Sequence, residues 1–250
     1  MKFGAEVLQR KLVIETKTGI VLLARMSSSR LPAKALRKIE GKESILYIIE
    51  KLLSVVPKEK IILATSTEKS DDSLVEFVET LGISVFRGAL NNVAERFYQA
   101  GLKLETQFIC RMNGDNIFLD PFLLKEMLER ADSNQYDFIS NVKDRSYPKG
   151  MSVEIVRTEY YDKLLPEILN DPYQREHVMP LVYEKAKDAK HFYQINKEYP
   201  AAAGLQLALD TALDFERTKW MMQHLELPHT KLRLKDLLHL YQAYEQSFKR

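Results

Sequence analysis

Three clusters of polar residues, each directly behind an apolar run, carry the chemistry this sequence offers. The first is "ARMSSSRLPAKAL", 24–36, where Arg25, Arg30 and Lys34 stand among Ser27, Ser28 and Ser29 with no carboxylate nearby in sequence. Guanidinium forks and an ammonium point charge suit phosphate oxygens, and hydroxyls add further bonds. The stretch has no glycine to shape a phosphate-cradling turn, while Pro32 stiffens it. The structural alternative is a solvated loop whose charges bind nothing. The other two clusters are acidic. Asp115 follows "FICRMNG", and Asp210 follows "LQLAL" four residues before Asp214. Two carboxylates from separate strand ends can share Mg2+, which takes a few carboxylates together with waters and substrate phosphates. Taken singly, Asp115 can instead close a turn and Asp210 can cap the helix beginning at "DTALDFER". Cations on one side and a carboxylate-held metal on the other would clamp a triphosphate.

The remaining reactive residues are less specific. Arg87 and Gly88, in "VFRGALNNVAERF", end another apolar run, from which Arg87 can reach a nucleotide or substrate. Arg96 either does the same or pairs on the surface with Glu95 or a helix neighbour. His177, in "YQREHVMP", fits a structural hydrogen bonder more readily than a catalyst. The single cysteine, Cys110, excludes an internal disulfide, fits a reducing compartment, and reads as an inert buried thiol. The chain carries no Walker A sequence, G-x-G-x-x-G, H-E-x-x-H or nucleophile elbow.

What positions these residues is an alternation of strand-length and helix-length segments. "GIVLLA", "KIILATS", "ISVFRG", "QFICRMNGD" and "YDFISNV" read as strands. Between them lie helical patterns at 45–56, at "DDSLVEFVETLG", at "NNVAERFYQAGLK" and at "DPFLLKEMLERA". Asp71 or Asp72 starts the second of these helices and Gly82 stops it; Asp120 caps the fourth, with Pro121 at its first position. Such alternation predicts an α/β fold: right-handed crossovers and a mostly parallel sheet with helices on both faces. After about residue 145 the rhythm changes. "MSVEIV" and "LQLAL" read as strands, "HFYQINKE" as a further one, with amphipathic stretches at 159–170 and 174–187. The reading is one domain, 19–250, with an inserted or appended subregion at about 145–200 and an N-terminal extension at 1–18. Ligands of open parallel sheets bind beyond the carboxyl ends of the strands, so the three clusters converge on one rim.

The bulk numbers fit this picture. Of 250 residues 45% are hydrophobic, and 37 basic against 35 acidic residues leave a net charge of +2, which supplies no global field for nucleic acid or an acidic membrane. No apolar run approaches the ~18 residues of a membrane span, and the N-terminus lacks a signal-peptide core. These features predict a cytoplasmic protein with neither nucleic acid nor membrane as partner.

"LLARMSSSRLPAKAL" resembles the signature of nucleotide-sugar cytidylyltransferases, in which A-R-x-x-S-x-R-L-P-G-K follows the first strand. "LATSTEKSDD", "VFRGALNNVAERF", "RMNGDNIFLDP", "YPKGMSVEIV", "REHV" and "LALDTALDF" are similar to later motifs of that family, most of all in its spore-coat polysaccharide branch. The match spans roughly 19–220. The resemblance implies a Rossmann-like fold of the nucleotide-diphospho-sugar transferase type, with the subregion serving dimerisation and substrate binding in a homodimer. It implies a CMP-sugar synthetase, akin to those acting on acylneuraminate and 3-deoxy-manno-octulosonate, that uses CTP and Mg2+ and releases pyrophosphate in surface polysaccharide or glycoconjugate synthesis. By motif, Arg25 and Lys34 hold the triphosphate, with Ala24, Ser28 and Arg30 along the loop and Arg87 at the nucleotide. Asp115 and Asp210 hold the metal, with Arg25, Lys34 and Asp210 as the catalytic set. Arg96, Glu154 and His177 face the acceptor, a small acidic sugar. The chain departs from the family pattern at Ala33, where a glycine is usual, at Asn116-Ile117, where a proline is, and at Ser152, where an aspartate is. Two other functions share this architecture: a glycosyltransferase using a finished nucleotide sugar, and a silent nucleotide-binding subunit.

Overall fold

The computed structural model describes residues 13–248. Four of the expected strands form parallel neighbours. β1 (Thr18–Leu23) pairs with β4 (Ile61–Ser66) on one side and β6 (Phe108–Asn113) on the other, and β4 pairs with β5 (Ser84–Gly88). Beyond β6 come β8 (Glu154–Arg157), antiparallel to it, then β7 (Phe138–Ser140) and the edge strand β9 (His191–Tyr193). The sheet order is β5-β4-β1-β6-β8-β7-β9, and β8 alone of these runs against the rest. The chain winds outward from β1 to β4 and β5, then returns to place β6 on the opposite side of β1. That reversal splays the connections apart above β1 and β6 and leaves a crevice at their carboxyl ends.

Alternation along β1 builds both faces. Ile20 and Leu22 join a core with α1 (Ser44–Leu53), α2 (Asp72–Thr80) and α4 (Pro121–Asp132), through residues such as Ile48, Leu74 and Leu124. Val21 and Leu23 face the opposite core, built from α3 (Val93–Leu102), α5 (Thr158–Asn170), Val178 and Met179, which follow the short α6 (Pro172–His177), and α7 (Pro180–Glu184). The mostly parallel sheet with helices on both faces is therefore present. Local signals set the helix boundaries as expected. The Asp120 carboxylate accepts from the Phe122 and Leu123 amides, and Gly82 ends α2 at φ 70°. β2 (Lys38–Ile39) and β3 (Lys42–Glu43) form a two-residue hairpin ahead of α1.

Two expectations are corrected. "LQLAL" is not a strand: Gln206 makes an isolated bridge to Lys149, with the Leu207 amide donating to the Lys149 carbonyl at 2.8 Å. The segment 174–187 is not one helix. α6 stops at His177, Val178 leaves the helical region at φ 73°, and Pro180 takes the first position of α7, where its missing N–H costs no hydrogen bond. α2 starts at Asp72 as expected, with Asp71 at the N-cap position, although the Asp71 carboxylate makes no cap bond and accepts instead from Met26, Thr65 and Ser66. Much of the stretch at 145–200 is woven into the main sheet through β8 and β9. Of the expected N-terminal extension, 1–12 lie outside the described residues; Ile14 donates to the Val55 carbonyl and Thr16 to Asp132. α8 (Ala212–Gln223) and α9 (Leu234–Ser247) complete the chain. No helix among the described residues is long and apolar enough to cross a membrane.

Candidate active site

At the carboxyl ends of β1 and β6 lies a cleft of about 410 Å3 whose walls include Arg25, Ser28, Arg30, Lys34, Asp115 and Asp210. The basic loop reaches it because β1 ends against Gly114: the Gly114 amide donates to the Leu23 carbonyl at 2.8 Å, and a Cβ there would stand 2.6 Å from the Ala24 Cβ. Only glycine lets the two strand ends meet so closely. Ala24 therefore lines the cleft by packing against Gly114. The turn that presents Lys34 passes through Ala33 at φ 56°, so alanine adopts the left-handed conformation here in place of the glycine usual in the resembling family.

Lys34 is the hub. Its Nζ donates to Asp115 Oδ2 at 2.9 Å, Asp210 Oδ1 at 3.1 Å and the Leu209 carbonyl at 2.9 Å. Arg30, 65% exposed, adds an ion pair to Asp210 Oδ1 at 3.2 Å. Asp210 is free for this role because the helix that follows is capped by others. Thr211 and Asp214 close a capping box on α8, and Asp214 also accepts from the Asp210 amide. The Leu209 amide donates to the Asp115 carbonyl at 3.1 Å, which fastens the two acidic segments together. Both aspartates thus present carboxylate oxygens to one cationic point. Two hard oxygen donors converging in this way fit a divalent cation of the Mg2+ kind whose remaining ligands are phosphate and water. Among the described residues no cluster of three or more His, Cys, Asp or Glu could hold a metal without such help.

A second cleft of about 460 Å3 adjoins the first and shares Arg111, Asn113 and His177 with it. Glu154 lies here, buried, with one oxygen accepting from Arg111 at 2.7 Å and the other from the Tyr183 hydroxyl at 2.8 Å. Burial, the Glu154 charge and that hydrogen bond drive the Tyr183 phenol far above its ordinary value, so it is a fixed donor rather than a base. Lys143 and Arg145 line the outer wall, and the exposed Tyr173 ring lies 4.5 Å from the His177 ring.

The structure brings Ala24, Arg25, Ser28, Arg30, Lys34, Asp115 and Asp210 into the first cleft, Glu154 into the second, and His177 to the border. Two expected residues are placed differently. Arg87 lines neither cleft: its guanidinium bonds the Ser66 and Glu68 carbonyls, both at 2.9 Å, and pairs with Asp72 at 2.7 Å, bracing the turn after β4. Arg96, expected at the acceptor, lies in the first cleft, buried beside Arg25 and donating to the Ala89 carbonyl at 2.6 Å. Burial and the neighbouring Arg25 charge lower its pKa to about 10. Arg111, Asn113 and Tyr183 were missed as site residues. An arginine at the centre of the apolar run "FICRM" was the available signal for the first. Cys110 is fully buried, and that burial raises its thiol pKa well above the usual range, in line with an inert thiol.

Residues 19–237 match the cytidylyltransferase family model. The chain belongs to the cytidylyltransferase family. It is accordingly a CTP-dependent nucleotidyltransferase. Its structure is similar to that of a cytidylyltransferase from Leptospira borgpetersenii, 28% identical with a TM-score of 0.83, covering 93% of this chain and 96% of that one. Among sequence relatives, the spore coat polysaccharide biosynthesis protein SpsF of Bacillus subtilis is 27% identical, covering 81% of this chain and 85% of its own. The 3-deoxy-manno-octulosonate cytidylyltransferase of Aeromonas salmonicida is 27% identical, over 44% of each chain. This cytidylyltransferase carries its first cleft at the carboxyl ends of β1 and β6, with the second beside it.

Proposed function

We propose that this cytidylyltransferase transfers CMP from CTP to a hydroxyl of an acidic sugar, releasing pyrophosphate, as a step in making a surface polysaccharide or related glycoconjugate. One observation supports the reading: the basic loop brings the Lys34 ammonium into direct contact with two carboxylates from different segments, so groups suited to phosphate and groups suited to a divalent cation meet in one cleft. The spore-coat and octulosonate relatives support the acceptor class.

In this scheme Arg25, Arg30 and Lys34 bind the triphosphate, and the Ser28 hydroxyl adds a short-range bond. Asp115 and Asp210 would hold Mg2+, which when bound neutralises charge developing on the phosphates and lowers the pKa of the attacking hydroxyl. Lys34 passes its donors from the carboxylates to phosphate oxygens as the triphosphate enters. The second cleft orients the acceptor. Glu154 is locked by Arg111 and Tyr183, so its position is set before the sugar arrives, and His177 stands where the two clefts meet. The acceptor hydroxyl gives its proton to water and its oxygen forms a bond to the α-phosphorus while the bond from that phosphorus to the α–β bridging oxygen breaks, and pyrophosphate leaves with the bridging oxygen. Positioning and fixed charges supply most of the rate enhancement.

The test is pyrophosphate release from CTP with Mg2+ and a panel of acidic and neutral sugars, with the CMP-sugar identified by mass. Release with an acidic sugar, lost in Asp210→Asn, is the expected result. Sugar transfer from a finished nucleotide sugar, or CTP binding without pyrophosphate release for any acceptor, would overturn the reading in favour of a glycosyltransferase or a silent subunit.

A further inference from the structure

The basic loop lacks the glycines that usually let a phosphate loop hold its shape, so something else must fix the point where it leaves β1. A buried carboxylate is there. Asp71, fully inaccessible, accepts from the Met26 amide at 2.7 Å through Oδ1. Its Oδ2 accepts from the Thr65 hydroxyl at 2.8 Å, the Ser66 amide at 3.0 Å and the Ser66 hydroxyl. Thr65 and Ser66 end β4, so one side chain ties the neighbouring strand to the first residue after Arg25. Asp71 is also the nearby negative charge among the influences on Arg96, opposing the repulsion from Arg25. Two guanidiniums side by side on a phosphate cleft need such a counter-charge behind them. Burial alone would raise the Asp71 pKa; the bonds from Ser66, Met26 and Thr65 outweigh it and hold the group below the usual carboxylate range, so it is an anion at neutral pH.

We propose that Asp71 is a positioning residue for nucleotide binding: it fastens the Met26 amide to the end of β4 and thereby aims Arg25 at the triphosphate. This rests on the reading of the first cleft as the CTP site. Asp71 touches no phosphate itself. Its carboxylate meets a backbone N–H at each oxygen, Met26 at one and Ser66 at the other. An asparagine must turn its amide nitrogen toward one of them, and a donor facing a donor opens that side of the tie.

The experiment is calorimetric titration of CTP and of cytidine into wild type, Asp71→Asn, Arg25→Ala and the double variant. Asp71→Asn is expected to weaken CTP at least tenfold while leaving cytidine, which has no phosphate, within twofold. In the Arg25→Ala background the same change is expected to cost less than twofold, because the group it aims is gone. A role in stability alone predicts a lower Tm with unchanged CTP affinity, or equal losses for both ligands, and either result overturns the proposal. If Arg25→Ala weakens CTP and Asp71→Asn does not, this inference fails and the nucleotide site stands. If Arg25→Ala leaves CTP affinity unchanged, the site reading fails and this inference with it. Should Asp71→Asn not fold, Thr65→Val and Ser66→Ala each withdraw a hydroxyl from the carboxylate while leaving the Met26 bond. A several-fold loss of CTP affinity in either supports the proposal, and no loss in both overturns it.

Discussion

Lys34 spends its three donors on Asp115, Asp210 and the Leu209 carbonyl, so it is the counter-charge that lets two carboxylates face each other, and in the proposed reaction it turns to the triphosphate. Lys34→Met is therefore expected to weaken CTP and also to destabilise the protein by about 1–3 kcal/mol, the cost of leaving polar groups unpaired. Millimolar Mg2+ is expected to restore part of that stability by taking the ammonium's place. Denaturant melts with and without the cation check this; a loss that Mg2+ does not reduce would speak against a metal site between the two aspartates. Their polar clusters were legible in the sequence because each comes after an apolar run: Lys34 lies in the loop that leaves β1, Asp115 just past β6, and Asp210 behind an extended segment that makes one bridge. Arg87 satisfied the same rule and misled. A long side chain at a strand end can turn to either side, and here the carbonyls of Ser66 and Glu68 and the Asp72 carboxylate claim it. Arg111 stayed hidden for the opposite reason, being inside a strand where the pattern promises only core.

At the scale of elements, the segment ending in Asp210 is held by backbone contacts that no periodicity announces. Gly150, at φ 92°, lies so close to it that a Cβ would stand 2.4 Å from the Ala208 amide nitrogen. Gly150→Ala is expected to destabilise by about 2–4 kcal/mol, from positive-φ strain plus overpacking, and to lower turnover by shifting Asp210. A thermal melt and a CTP-dependent rate measurement decide it. "LQLAL" misread as a strand because its apolar alternation is real, but it packs on the core as an extended segment with a single bridge. The break at Val178 was legible in Pro180 had the proline been weighed above the apolar pattern. α1 carries a further liability in Lys51, fully buried with its Nζ 2.8 Å from the Leu119 carbonyl. Burial lowers its pKa to about 7, with Asp120 acting the other way. Between pH 7 and about 10.4 the unfolded chain holds a proton that the folded one has released, so stability rises with pH through that window. Wild type is expected to gain about 2 kcal/mol over Lys51→Met between pH 7.5 and 9.5. Parallel pH dependences for the two proteins would contradict this.

For the whole molecule, a net charge of +2 says little of the first cleft, where the cations of the basic loop, Arg96 and Arg111 gather beside Asp115, Glu176 and Asp210. CTP binding is accordingly expected to weaken several-fold between 50 and 500 mM salt, as screening shortens the reach of those charges. A Kd that ignores salt would mean that the triphosphate does not meet them. The α/β alternation made the sheet and the position of its crevice legible from the sequence, since the order of strands and helices restricts the windings available. The second cleft was not legible as a unit, since β6, β8, the turn at 143–145 and α6–α7 each contribute a residue or two from distant parts of the chain.

The proposed function makes the first cleft a CTP site completed by a divalent cation. Its most direct test is the thermal shift produced by CTP, UTP, ATP and GTP, each with and without Mg2+, since a ligand at a hundredfold excess over Kd stabilises the native state by about 2.7 kcal/mol. The shift for CTP is expected to exceed the others, to grow with Mg2+, and to shrink in both Lys34→Met and Asp210→Asn. Equal shifts for all four nucleotides, or a CTP shift unaltered by those two substitutions, would contradict it.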